Sequence, residues 1–135
     1  MASLIDLDET YLPIGQMRQI TSVSEFQGHS IVCEMALQDH WVYAIHFPGD
    51  PIMPGSLILE AAGQVTALWA WMDGQRGKPR MVKANGEFRA PVGPDAGHLT
   101  FRATIKKKQR LNFGTVHVLI GDVEVGIVHN CIAVV

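Results

Sequence analysis

Residues 56–72 read SLILEAAGQVTALWAWM, and this stretch decides the fold. Its Leu, Ile, Ala, Met and Trp are mostly good helix formers, and Asp73-Gly74 supplies the stop signal. At about 100° per residue, Leu57, Ile58, Leu59 and Ala67 point in four well-separated directions. A helix without a solvent face has to be surrounded by other protein. It is too short to span a bilayer comfortably, and Glu60 and Gln64 interrupt it. A chain of 135 residues fits one domain. In so small a protein a sheet curved around the helix can enclose most of it, and a second subunit can cover the rest.

Working outward, residues 80–90, 99–108, 112–120 and 123–135 all have strand length, with turns expected at Asn112-Phe113-Gly114 and Gly121-Asp122. On the other side, residues 17–26 and 30–38 read as strands around a Gly28-His29 turn, residues 41–45 as a short extended piece, and residues 6–10 as a turn of helix. Short links between consecutive strands call for antiparallel pairing. The expected fold is therefore α+β over residues 1–135: one long central helix wrapped by a curved antiparallel sheet of five to six strands.

Charge is unevenly spread. Ten of the eleven Lys and Arg fall within residues 76–110 against only Glu87 and Asp95, a balance of +8; the remainder sets Arg18 against eleven acids, −10. Such a segment either solvates strand faces and loops or forms a patch for an acidic partner. Cys33 and Cys131 lie in apolar runs without CxxC spacing, and read as buried reduced thiols rather than a disulfide or a metal pair. The opening MASLIDLDET has no signal-peptide character, so a soluble cytoplasmic protein is expected.

Glu60 is the lone carboxylate of the helix, and an ionised carboxylate is costly to bury unless paired or protonated. Gln64 follows it one turn later and either orients it or packs as an ordinary core polar group. Before the helix runs HFPGDPIMPG, residues 46–55, too rich in Gly and Pro for regular structure. Gly55 opens the helix, where unpaired N–H groups and the helix dipole would stabilise a carbonyl oxygen gaining negative charge. His46, at the far end of the loop, carries an imidazole, a side chain suited to giving or taking a proton. The other five histidines, His29, His40, His98, His117 and His129, show no metal-ligand spacing and read as structural or surface residues.

The segment from His46 to Gly55, followed by Leu57, Glu60, Ala61 and Gln64, resembles the active-site segment of the 3-hydroxyacyl-[acyl-carrier-protein] dehydratases of hotdog fold. That motif pairs a His with an acidic residue fourteen positions later, the spacing of His46 and Glu60. Glu87-Phe88-Arg89-Ala90-Pro91-Val92 is similar to the family's strand segment ending in F-x-x-P-V. The resemblance implies a homodimer or a larger assembly such as a trimer of dimers, with His46 of one chain facing Glu60 of the other. It departs at Ile45, where the chain-elongation branch usually has Gly; a positive φ there would strain Ile. The N-terminal segment and the turn after Val92 also differ from the family pattern.

The activity implied is dehydration of a (3R)-hydroxyacyl thioester carried on the phosphopantetheine of an acyl carrier protein. His46 would take the α-proton, Glu60 would help the hydroxyl leave, and Gly55 N–H would hold the thioester carbonyl. Phe47, Leu57 and Phe88 are candidate tunnel walls. Arg76, Lys78 and Arg80 are candidates for carrier docking. No metal, organic cofactor, nucleic acid or membrane is called for. A hotdog acyl thioesterase and a non-catalytic dehydratase-like subunit are the rival readings.

Overall fold

The computed structural model describes residues 2–135, with the side chains of 130 and 132 excepted. Six strands form a single antiparallel sheet: β1 (Ser22–Gln27), β2 (Ser30–Ala36), β3 (Arg80–Phe88), β4 (His98–Lys108), β5 (Leu111–Ile120) and β6 (Val123–Val134). Their order across the sheet is β1-β2-β4-β5-β6-β3. The helix α1 (Gly55–Met72) packs against it. This is the hotdog arrangement that the resemblance implies.

Alternation places the core. Ile31, Cys33 and Met35 of β2, Leu99, Phe101, Ala103 and Ile105 of β4, and Val116 and Val118 of β5 are buried on one face, with more exposed residues between them. They meet Ala61, Ala62, Val65, Leu68 and Trp69 of α1, all at most 1% exposed. The indole N–H of Trp69 donates to the Gly28 carbonyl at 2.9 Å, which ties the helix to the β1–β2 turn. Cys33 and Cys131 are both free and buried. Burial raises both thiol pKa values.

Three local expectations are corrected. Residues 41–45 are not extended: Trp41–Ala44 is a 3-10 turn, because the His40 imidazole caps its N-terminus by accepting from Val42 N–H. Asn112-Phe113-Gly114 is not a turn but part of β5; the β4–β5 reversal lies at Gln109, whose φ is +58°. The first strand starts at Ser22 rather than residue 17, since residues 15–17 form another 3-10 turn. The stop of α1 at Asp73-Gly74 and the turns at Gly28 and Gly121 stand where the sequence puts them.

One edge of the sheet is unlike the rest. No residue of β3 is buried, and Met81, Val82 and Phe88 are 45%, 60% and 45% exposed. Apolar side chains on an unpaired edge strand are a template for further pairing. Among the described residues, no helix is long and apolar enough to cross a membrane.

Candidate active site

The loop between the Trp41–Ala44 turn and α1 carries His46. The Val42 carbonyl accepts from both Ile45 N–H (3.1 Å) and His46 N–H (2.9 Å), so the residue hangs from the end of that turn. The His46 carbonyl accepts from Ile52 N–H at 2.9 Å, and its Nδ1 lies 3.0 Å from the Ile52 carbonyl. A carbonyl only accepts, so Nδ1 carries the proton and Nε2 keeps a free lone pair. The ring stacks on Phe47 at 4.2 Å between centroids. The neighbouring Ile45 has φ −124°, so no left-handed backbone is needed at the position where the resembled family usually has Gly.

His46 shares a cavity of about 400 Å³ with Phe47, Gly55 and Phe88. The cavity is floored by Met53 and Ile58 and rimmed by Arg89 and the 90–92 segment. Pro54 is the N-cap of α1 and offers no side-chain cap. Among the described residues, the N–H groups of Gly55 and Ser56 have no acceptor, and they lie at the positive end of the helix dipole. The Phe88 ring lies over Gly55: a Cβ there would come within 2.6 Å of Cε2. Gly at this position is therefore what allows strand and helix to close on the cavity.

Glu60 faces a second cavity of about 330 Å³, with Gly63, Gln64, Ala67, Arg80 and Met81 among its walls. Gln64 is 2% exposed and uses its whole hydrogen-bonding capacity. Its Nε2 donates to Glu60 Oε2 at 3.0 Å and to the Met17 carbonyl at 2.7 Å. Its Oε1 accepts from the main-chain N–H of Gln19 at 2.8 Å and of Ile20 at 3.1 Å. It thus orients Glu60 and also pins the segment before β1 to the helix. With Oε2 occupied by a donor, a proton on Glu60 belongs on Oε1.

Within one chain His46 and Gly55 line one cavity, and Glu60 and Gln64 line the other. Phe47 and Phe88 are tunnel-wall candidates that do line the His46 cavity, whereas Leu57 is half-buried against the core and lines neither. Of the docking candidates, Arg80 reaches the Glu60 cavity and Lys78 is exposed. Arg76 is engaged at home: its guanidinium sits 3.6 Å over the Trp71 ring and donates to the Trp71 and Gln75 carbonyls, closing the end of α1. His40, read from the sequence as a structural or surface residue, and Gln19, which the sequence reading passed over, are polar residues whose only signal was proximity in the chain to the His46 turn and to β1. Among the described residues, no three His, Cys, Asp or Glu side chains cluster so as to hold a metal ion.

Similarity to known proteins follows these lines. A phenylacetic acid degradation-related protein from Ralstonia eutropha JMP134, named as a thioesterase, has TM-score 0.67 and 14% identity, covering 84% of this chain and 83% of its own. Thioesterase superfamily member 2 of zebra fish has TM-score 0.64 and 13% identity over 84% and 78%. AziG of S. sahachiroi has TM-score 0.57 and 18% identity over 83% and 90%. Likeness at such identities is likeness of fold. Hotdog proteins commonly oligomerise and act on thioesters. The model of the FabA-like domain matches residues 12–129, and the chain belongs to that family.

Proposed function

We propose that this protein dehydrates (3R)-hydroxyacyl thioesters carried on phosphopantetheine, giving trans-2-enoyl thioesters, with His46 as base and Glu60 as acid. The observation that supports this best is the state of His46: Nδ1 is committed to the Ile52 carbonyl, which leaves Nε2 basic in a cavity that also holds the unpaired N–H of Gly55. The thioester oxygen accepts from Gly55 N–H, which stabilises the charge that develops when His46 Nε2 removes the α-proton. The electron pair then forms the double bond, and the C–O bond breaks. The 3-hydroxyl takes the Glu60 Oε1 proton and leaves as water. Return of the α-proton from His46 to Glu60 restores the resting pair.

The two groups line different cavities of one chain, so a working dyad needs a second copy to bring its Glu60 to this His46. The open, apolar β3 edge supports such a dimer. His46→Ala and Glu60→Gln should each lower turnover about a hundredfold or more. Mass spectrometry of hydroxyacyl-carrier substrates is the measurement, and near wild-type water loss in either variant would overturn the assignment.

A second reading, thioester hydrolysis, draws on the thioesterase names of the structural neighbours. There a carboxylate would activate water at the carbonyl, and the product would be a free acid. The same mass spectra separate an enoyl thioester from an acid.

A further inference from the structure

The hydrogen bonds that leave Glu60 do not stop at Gln64. Gln64 Oε1 accepts from the main-chain N–H of Gln19, and the Gln19 side chain carries the path onward. Its Nε2 donates to the carbonyls of Gln16 (2.9 Å) and Met17 (3.2 Å), so its Oε1 is the atom left to face His40, at 2.8 Å from Nε2. His40 must then carry its proton on Nε2. That leaves Nδ1 bare to accept from Val42 N–H at 3.1 Å. Val42 is the residue whose carbonyl holds His46 N–H. Every donor and acceptor on this path has one consistent assignment, and it requires His40 to be neutral. Gln19 is 2% exposed, and no described buried side-chain polar atom lacks a partner.

We infer that His40 and Gln19 are positioning residues for His46: a neutral His40, held by Gln19, caps the 3-10 turn and thereby sets where the His46 imidazole stands. The inference rests on His46 acting as the base, but the geometric claim is separable from that reading. Neither His40 nor Gln19 lines either cavity, so each acts on the reaction through the groups it holds in place, His40 through the turn that carries His46. Burial lowers the pKa of His40, in keeping with a neutral ring.

The test compares His40→Ala, His40→Asn and Gln19→Met. Asn retains a cap acceptor for Val42 N–H, whereas Ala removes both contacts. His40→Ala should lower kcat about tenfold or more, with KM changed less than about twofold, because misplacing a reacting group by about 1 Å costs up to about 10². His40→Asn should recover most of that loss, and Gln19→Met should fall between. In the His46→Ala background, His40→Ala should cost nothing further, since coupled groups are non-additive. An additive loss, or an unchanged kcat in the folded His40→Ala protein, would overturn the inference. A second readout needs no turnover: ¹⁵N NMR of the His46 ring should show Nδ1–H bonded in the wild type and weakened in His40→Ala. An unaltered His46 signal in His40→Ala overturns the positioning role, whereas an altered signal in that variant, with no dehydratase activity in the wild type, upholds positioning and rejects the proposed reaction.

Discussion

His40 holds a ring that is kept neutral by its surroundings, and this has a consequence for stability. Burial moves its pKa below the ordinary 6.5. As pH falls through 6.5 the unfolded chain takes up a proton that the folded protein still refuses, so stability drops across the window down to the folded pKa and is level above it. Melting temperature should therefore decline as pH falls below the ordinary 6.5, and His40→Asn should flatten that decline; thermal scans on either side of that pH check it. Glu124 acts elsewhere on the scale. Its pKa is lowered chiefly by a hydrogen bond from His117 and, among charges, by His117 and Arg89, so its contribution persists above the ordinary 4.5 and is lost below it. His46, Gly55, Glu60 and Gln64 were legible in the sequence as candidates, because a Gly- and Pro-punctuated loop and one carboxylate in an apolar helix stand out locally. His40 was not. Its role depends on Gln19, brought across from another part of the chain, and no spacing rule records such a contact.

Helix α1 and the strands after it were readable because each is long enough for composition or alternation to show. The Trp41–Ala44 turn was not, since four residues display no period and the cap is an imidazole rather than one of the usual Ser, Thr, Asp or Asn side chains. Asn112 and Gly114 were misread for a definite reason: both favour turns in general, but here they serve packing. The fully buried Asn112 pairs its amide with Gln75 and with the Ala133 carbonyl. At Gly114 a Cβ would lie 2.7 Å from Thr66 Oγ1 and 3.1 Å from Ile105 Cδ1. Close approach also governs the start of α1. Gly55→Ala should push the Phe88 ring aside and move the carbonyl site, lowering kcat/KM by roughly 10² for a displacement near 1 Å. Adding Phe88→Ala should restore part of the activity by removing the collision. Steady-state kinetics on the single and double variants provide the measurement, and an active Gly55→Ala enzyme with Phe88 intact would contradict the assignment.

At the scale of the whole molecule, the sheet ends at β3, an edge with no buried residue. If a second copy covers it and completes each site, mixed dimers of His46→Ala and Glu60→Gln chains should regain activity that neither variant has alone. With subunit exchange verified, the absence of recovery would reject composite sites. If the substrate arrives on an acyl carrier protein, its docking belongs to this scale too. With Arg76 engaged by Trp71, Lys78 and Arg80 remain the useful cations. Reversing their charges should raise KM for carrier-bound substrate and spare a small pantetheine thioester. The difference should shrink with salt, as the screening length is about 10 Å at 0.1 M. The two buried thiols carry a last consequence. Cys33 lies in β2, next to the β1 edge, and Cys131 in β6, next to the β3 edge. Both are withheld from solvent and from their reactive thiolate form, so an alkylating reagent can modify them only when the surrounding strands open. Peptide-resolved alkylation should then time the opening of the two sides separately. Any partner seated along β3 should slow the clock at Cys131 and leave the one at Cys33 running.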